Sequence, residues 1–270
     1  MIAETVKAIS PDTLVILDGV CAVASEEIRF DDWSIDVVVG ATQKGLGVPP
    51  GLSVTMVSPL ALSVLDKRAS PVGTYYASWK RWLPIMQSYE QPPAAYFATP
   101  PVQLVYALHA SLSAIVDEKP SLEDRFQMHR DVSKRVKDTV ESWGLSLIPL
   151  SRDAAANGMC VSATFRLPRS SEPPSDAPLP PSHLDRTAVR FPDGLGATDL
   201  LPKLMARDVV MAAGLHKDIK ATYFRIGHMG ATVTDPARGD VDKVLDALKA
   251  SLEECGYDTE SKTLSKKQTA

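Results

Sequence analysis

The sequence predicts an α/β protein with a mostly parallel sheet, followed by a smaller α+β unit. Leu14-Val-Ile-Leu17 places four apolar residues in a row and closes on Asp18-Gly19. Such a run suits a strand covered on both faces, as in parallel sheets. Val37-Val-Val39 repeats the pattern about one crossover later. Ahead of the first run, Met1–Ile9 carries Ala3, Val6 and Ile9 near helical spacing. Helix followed by strand, with apolar strands ending in polar residues, is the order of α/β proteins.

The remaining elements follow in order. Leu52–Val57 is a third apolar run, placed to pair antiparallel with the second. Beyond Pro59 helices take over: Ala61–Arg68, Lys80–Ser88, and Val102–Val116 with Leu104, Leu108, Leu112 and Ile115 on one face. Residues 1–118 thus read as part of a large domain, entered midway, with no sheet edge or first crossover ahead of it. Residues 119–258 read as the smaller unit. It opens with a charged helix, Leu122–Trp143, stopped by Gly144, followed by strands at Leu145–Leu150 and Gly158–Leu167. Residues 168–181 hold six prolines, two acidic residues and no aromatic residue, so a Pro/Ser-rich loop is expected there. A helix at Ala197–Arg207, a strand at Thr222–Ile226 and a helix at Val241–Cys255 complete the unit. Residues 259–270 are polar and read as a flexible tail.

Composition narrows the function classes. Over 270 residues, 44% are hydrophobic and 23% charged, the balance of a soluble globular protein. The net charge is −4, so nothing draws a nucleic-acid backbone. The three cysteines, Cys21, Cys160 and Cys255, are too widely spaced for a disulfide framework or a zinc ribbon. An intracellular, reducing compartment is the simplest expectation. No apolar run reaches the length of a bilayer span, and Lys267-Gln-Thr-Ala270 is not the Ser-Lys-Leu peroxisomal address.

The chemistry concentrates in Asp36-Val-Val-Val-Gly-Ala-Thr-Gln-Lys44-Gly-Leu-Gly-Val-Pro-Pro-Gly51. Lys44 follows a buried strand, where desolvation favours the neutral, nucleophilic amine that forms Schiff bases. A lysine on a solvent-facing loop is the plain alternative. Asp18 ends the preceding apolar strand, and polar residues at the carboxyl ends of adjacent parallel strands converge on the ligand crevice of such folds. An Asp that keeps a pyridine nitrogen protonated and a Lys that forms the imine suit pyridoxal phosphate. Asp18 as a turn former competes with that reading. In the later strand, Tyr223, Arg225 and Gly227 share one face while Phe224 and Ile226 face the core. A guanidinium there can grip a planar carboxylate through two hydrogen bonds; an ion-paired surface arginine is the alternative. His228 reads as a structural histidine near the site. His109 and His129 lack ligand spacing, so no metal is assigned, and Cys21 reads as a buried inert thiol. Trp79 and Trp82 suit an amphipathic helix at a domain or dimer junction.

Leu17-Asp-Gly-Val20, Ala41-Thr-Gln-Lys-Gly-Leu46, Pro49-Pro-Gly51, Gln91-Pro-Pro93, Tyr96-Phe-Ala-Thr-Pro-Pro101 and Phe224-Arg-Ile-Gly227 together resemble class V aminotransferases of the alanine–glyoxylate and serine–pyruvate type. The resemblance implies fold type I of the pyridoxal-phosphate enzymes. It also implies a transaminase acting on a small amino acid and a 2-oxo acid, as a homodimer with shared active sites. Carried over, Lys44 matches the cofactor-bound lysine, Asp18 the partner of the pyridine nitrogen and Gln43 a polar neighbour of the cofactor. Tyr96 and Thr99 match residues that reach the cofactor phosphate from the other subunit, and Arg225 the clamp on the substrate α-carboxylate. The resemblance further implies that the family's N-terminal part, with its phosphate-cradling turn, is missing from this chain. Two other readings stand beside it: a cysteine desulfurase-like lyase, and a noncatalytic fragment that dimerises with a full-length partner.

Overall fold

The computed structural model describes residues 2–117, 120–150, 152, 161–164 and 187–265. The Pro/Ser-rich segment 168–181, Cys160 and both flanks of the strand expected at Gly158–Leu167 lie outside the described residues.

Helix α1 (Ile2–Ile9) leads into β1 (Val15–Asp18), which pairs in parallel with β2 (Val37–Ala41). Strand β3 (Ser53–Val57) runs antiparallel to β2. A buried carboxylate joins these elements. Asp36 is 4% exposed and accepts from Lys7 Nζ at 2.6 Å, the Val15 amide at 2.7 Å and Ser58 Oγ at 3.0 Å. Its position is tolerable because its oxygens are hydrogen-bonded. Ser58 also caps α2 (Pro59–Asp66), its side chain accepting from the Ala61 amide at 3.1 Å.

Helices α3 (Trp79–Ser88) and α4 (Val102–Asp117) follow. Trp82 meets Tyr76 and Phe97 edge-on, with centroids 5.4 and 5.0 Å away. Of the predicted apolar face of α4, Ile115 is buried and Leu104 and Leu108 are half-buried, but Leu112 is exposed.

Helix α5 (Leu122–Ser142) begins a second layer of structure. Strands β5 (Thr187–Arg190), β6 (Ala212–Ala213) and β7 (Tyr223–Ile226) form an antiparallel sheet in the order β5-β7-β6. Helices α6 (Ala197–Met205) and α8 (Asp240–Glu254) cover it together with α5, and a four-residue helix α7 (Ala231–Thr234) follows β7. The core of this region contains Val136, Val140, Val189, Leu200, Phe224 and Leu248, each at most 1% exposed.

Four features differ from the sequence reading. Parallel pairing holds for β1 and β2, but strand β4 (Val161–Thr164), expected in the smaller unit, lies antiparallel to β1, so the first sheet is mixed. The strand expected at Leu145–Leu150 shrinks to a bridge between Leu147 and Val189; Pro149 has no amide to extend the ladder. All four residues of β7 are buried rather than alternating, because β7 is the central strand and both its faces are covered. Part of the tail expected from residue 259 is paired: strands β8 (Tyr257–Asp258) and β9 (Thr263–Leu264) form a ladder, and Leu264 packs on the core. Among the described residues, no helix is long and apolar enough to cross a membrane.

Candidate active site

The segment after β2 folds back on itself. Thr42 is fully buried, and its hydroxyl donates to the Pro49 and Leu52 carbonyls at 3.3 and 3.4 Å. The Gly47 amide donates to the Lys44 carbonyl at 2.8 Å and the Val48 amide to that of Thr42 at 2.9 Å. Gly45 presses against the turn that follows β1: a Cβ there would sit 2.3 Å from the Val23 carbonyl oxygen and 2.4 Å from Ser25 Oγ. Only glycine fits so close an approach. Lys44 is half-buried and Gln43 exposed, and both line a cavity of about 500 Å³.

Arg225 reaches the same cavity from β7. It is buried, and its Nε donates to the Ala213 carbonyl at 2.9 Å. His228 joins the wall two residues past the strand. Its Nε2 lies 2.7 Å from Thr187 Oγ1. Burial, with added repulsion from the Lys137 ammonium, pushes the His228 pKa down to about 4, so the ring is neutral at pH 7. Val209, Met211 and Val244 provide apolar lining. The lining contains two cationic side chains and no carboxylate, which suits a small molecule bearing a carboxylate.

The other anticipated residues lie elsewhere. Asp18, in register with Val39 at the carboxyl end of β1, is exposed, and its Oδ1 accepts from the Val20 amide at 3.1 Å. That bond is the turn-forming role, and it leaves the carboxylate accessible at the end of the strand beside β2. Tyr96 and Thr99 are exposed, bond each other at 2.8 Å, and do not line the cavity. Cys21 is buried, and Cys255 Sγ sits 3.5 Å from the Asp199 carbonyl oxygen. His109 is exposed, and the described residues contain no cluster of His, Cys, Asp and Glu able to hold a metal.

Two residues near the site carry no role in the sequence reading, which leaves Arg125 unmentioned and takes His129 only as a helical histidine without ligand spacing. Arg125, on α5, donates from Nη2 to the Gly45 carbonyl at 2.7 Å and from Nε to the Ala24 carbonyl at 2.8 Å. His129, one turn on, is fully buried beneath the turn after β7. Both lie at helical spacing from Val136 and Val140 on the buried face of α5, a signal that marks burial but not what they hold.

A family model described as aminotransferase class-V matches residues 1–171. The chain belongs to the class V aminotransferases. It is 34% identical over 257 residues to alanine–glyoxylate aminotransferase 1 of Saccharomyces cerevisiae, which covers 93% of this chain and 58% of that protein. Serine–glyoxylate aminotransferase of Methylorubrum extorquens is 27% identical over 85% of this chain and 49% of its own length. Among solved structures, pyridoxamine–pyruvate aminotransferase of Mesorhizobium loti superposes with a TM-score of 0.75 at 23% identity, covering 97% of this chain and 57% of that one. This class V chain therefore has the α/β architecture expected of fold type I, and it spans about half the length of the relatives it matches.

Proposed function

We propose that this class V chain carries the lysine and the carboxylate clamp of a pyridoxal-phosphate-dependent transaminase. It would move an amino group between a small amino acid, such as alanine or serine, and glyoxylate or pyruvate. The observation that carries the reading is that Lys44 and Arg225, from different sheets and far apart in sequence, line one cavity.

The residues present fit the cofactor. A primary amine stands on the wall of a cavity large enough for a small ligand, and an exposed carboxylate ends the adjoining parallel strand. Lys44 would hold the aldehyde carbon, with Gln43 beside it and Asp18 assigned to the pyridine nitrogen. Tyr96 and Thr99 are assigned to the phosphate of a second copy in a homodimer, a role their exposure permits. When bound, pyridoxal phosphate supplies a carbonyl that condenses with amines and a cationic ring that withdraws electrons from the amino acid Cα. The protein's own part is acid–base work and grip. Lys44 Nζ, freed from the aldehyde carbon by the incoming amine and neutral, would take the proton from Cα of the amino donor. In the return half-reaction its ammonium would give a proton to Cα of the oxo-acid acceptor. Arg225 binds the α-carboxylate of amino donor and oxo-acid acceptor alike. In this reading residues 1–118 belong to the large cofactor-binding domain and 119–258 to the small domain that brings Arg225.

A desulfurase needs a mobile cysteine at the substrate, and no described cysteine lines the cavity. The noncatalytic reading makes a different prediction about colour. Mixed with pyridoxal phosphate, the chain should develop the visible band of a lysine imine, and borohydride should fix the label at Lys44 in peptide maps. A label at another lysine, or a colourless protein, would overturn the assignment.

A further inference from the structure

Three segments meet around one turn of α5. The Arg125 guanidinium, 9% exposed as a residue, bonds the carbonyl of Ala24, in the turn after β1, and the carbonyl of Gly45, next to Lys44. Its Nη1 lies 3.4 Å from Thr234 Oγ1 on α7. Four residues on, His129 Nδ1 lies 2.7 Å from the Arg125 carbonyl oxygen, and its Nε2 accepts from the Gly230 amide at 3.1 Å. These bonds require the neutral ring with its proton on Nδ1. Burial lowers the His129 pKa and so favours that form, with Arg125's charge acting in the same direction.

Gly230 closes the connection. It follows β7 and Arg225 with φ at +64°, and a Cβ there would lie 3.7 Å from the Lys44 carbonyl oxygen. The turn that leaves the arginine strand therefore passes close beside the backbone of the lysine loop. Helix α5 holds the first through His129 and the second through Arg125.

We propose that Arg125 and His129 are positioning residues that brace the Lys44 loop and the turn after Arg225 to one helix, and so set the separation of amine and guanidinium. The proposal rests on the roles given to Lys44 and Arg225 above, but the brace itself can be tested without cofactor. Proton transfer and carboxylate binding must act on one small substrate, so a displacement of about 1 Å between the two groups is costly. Neither residue lines the cavity, so each acts through its neighbours.

Amide hydrogen exchange on the cofactor-free chain reads the brace directly. Arg125→Met should speed exchange at Gly47, Val48 and Gly230 tenfold or more, while amides of β7 and α8 stay unchanged. His129→Leu should loosen the lysine loop as well as Gly230, although His129 bonds no residue of that loop. His129→Gln, which keeps an acceptor near the Nε2 position, should restore protection at both places. With pyridoxal phosphate and substrates added, Arg125→Met and His129→Leu should each lower kcat at least tenfold. KM should change less than threefold, the visible band should remain, and the double variant should be no worse than the poorer single one. Exchange that stays unchanged in all variants, or rises uniformly across the molecule, would overturn the brace. A colourless wild-type chain with the predicted exchange pattern would leave the brace standing and refute the transaminase reading instead.

Discussion

The antiparallel sheet β5-β7-β6 and the stretch from β3 to α4 contain similar apolar patterns but end in opposite conditions. In the first, Tyr223, Phe224 and Ile226 of the central strand are at most 1% exposed, and Leu200, Leu204, Leu248 and Leu252 are fully buried. In the second, Val54, Met56, Val102, Val105, Tyr106 and Val116 are 39% to 73% exposed. The difference is the second layer. Helices α5, α6 and α8 cover the C-terminal sheet, whereas β3 and much of α4 face no other described element that buries them. An apolar face is stabilised only by what removes its area from water. The C-terminal region supplies its own cover; among the described residues the β3–α4 region has little.

The largest expected effect separates the two regions directly. Phe224 is fully buried with Phe191 at a centroid distance of 5.2 Å. Phe224→Ala should cost about 3–5 kcal/mol of unfolding free energy, the lost transfer energy plus a cavity. Val105→Ala, at 47% exposure on α4, should stay within about 0.5 kcal/mol. Urea unfolding of both variants checks this. Equal losses would break the comparison by showing that α4 is covered in solution.

Acid should probe the same contrast with a smaller effect. His228 carries a pKa of about 4 when folded against 6.5 as its ordinary value. Below pH 6.5 the unfolded chain therefore binds more protons than the folded one, so stability falls as pH drops from about 6.5 to 4 and then levels. The shift corresponds to about 3 kcal/mol at the low end. The groups acting on His228 are Lys137 and His129 of α5, and its hydrogen-bond partner is Thr187 of β5. His129 shifts the same way through burial and steepens the slope. Stability measured at pH 7.5, 6 and 4.5 should show the decline, and His228→Gln should flatten it in part. Amides of β5 and β7 should lose protection before those of β1 and β2. An equal loss in both sheets would contradict the assignment of the acid response to the C-terminal region.

The same contrast explains what was legible in the sequence. Val37-Val-Val39 and Leu14-Val-Ile-Leu17 were readable because continuous apolar runs have few other homes, and the positions of Lys44, Asp18 and Arg225 at or just past strands follow from such runs, whereas their proposed roles rest on the resemblance. Thr187–Arg190 escaped because four residues after a proline-rich stretch carry little pattern of their own. Tyr257–Leu264 escaped because a polar hairpin anchored by Tyr257 Oη on the Trp143 carbonyl, at 2.8 Å, depends on a distant partner. The bonds of Arg125 and His129 were not legible either: their spacing to Val136 and Val140 marks the buried face of α5, but which loops land on that face depends on distant segments. Cover by a second layer is tertiary information, and the sequence of α4 shows an apolar stripe whether or not anything meets it.

The smallest expected effect on the chain itself concerns Tyr96 and Thr99, in the sparsely covered region. They bond each other at 2.8 Å, both exposed, so Tyr96→Phe with Thr99→Val should change unfolding free energy by no more than about 0.5 kcal/mol. Their proposed role lies across a dimer, where two hydroxyls can donate to phosphate oxygens. The double variant should therefore bind pyridoxal phosphate more weakly while its affinity for pyridoxal, which lacks the phosphate, stays unchanged. Mixing makes the geometry explicit. A dimer of one Lys44→Ala chain and one Tyr96→Phe/Thr99→Val chain contains two sites. If the hydroxyls cross the interface, one site holds an intact Lys44 together with the partner's intact hydroxyls, and the other has lost both. Mixed dimers should then regain about half of the tight cofactor binding, although neither parent shows it. If the hydroxyls act within their own chain, each mixed site keeps one defect and nothing is regained. That result would place Tyr96 and Thr99 in the site of their own chain and end the cross-dimer assignment.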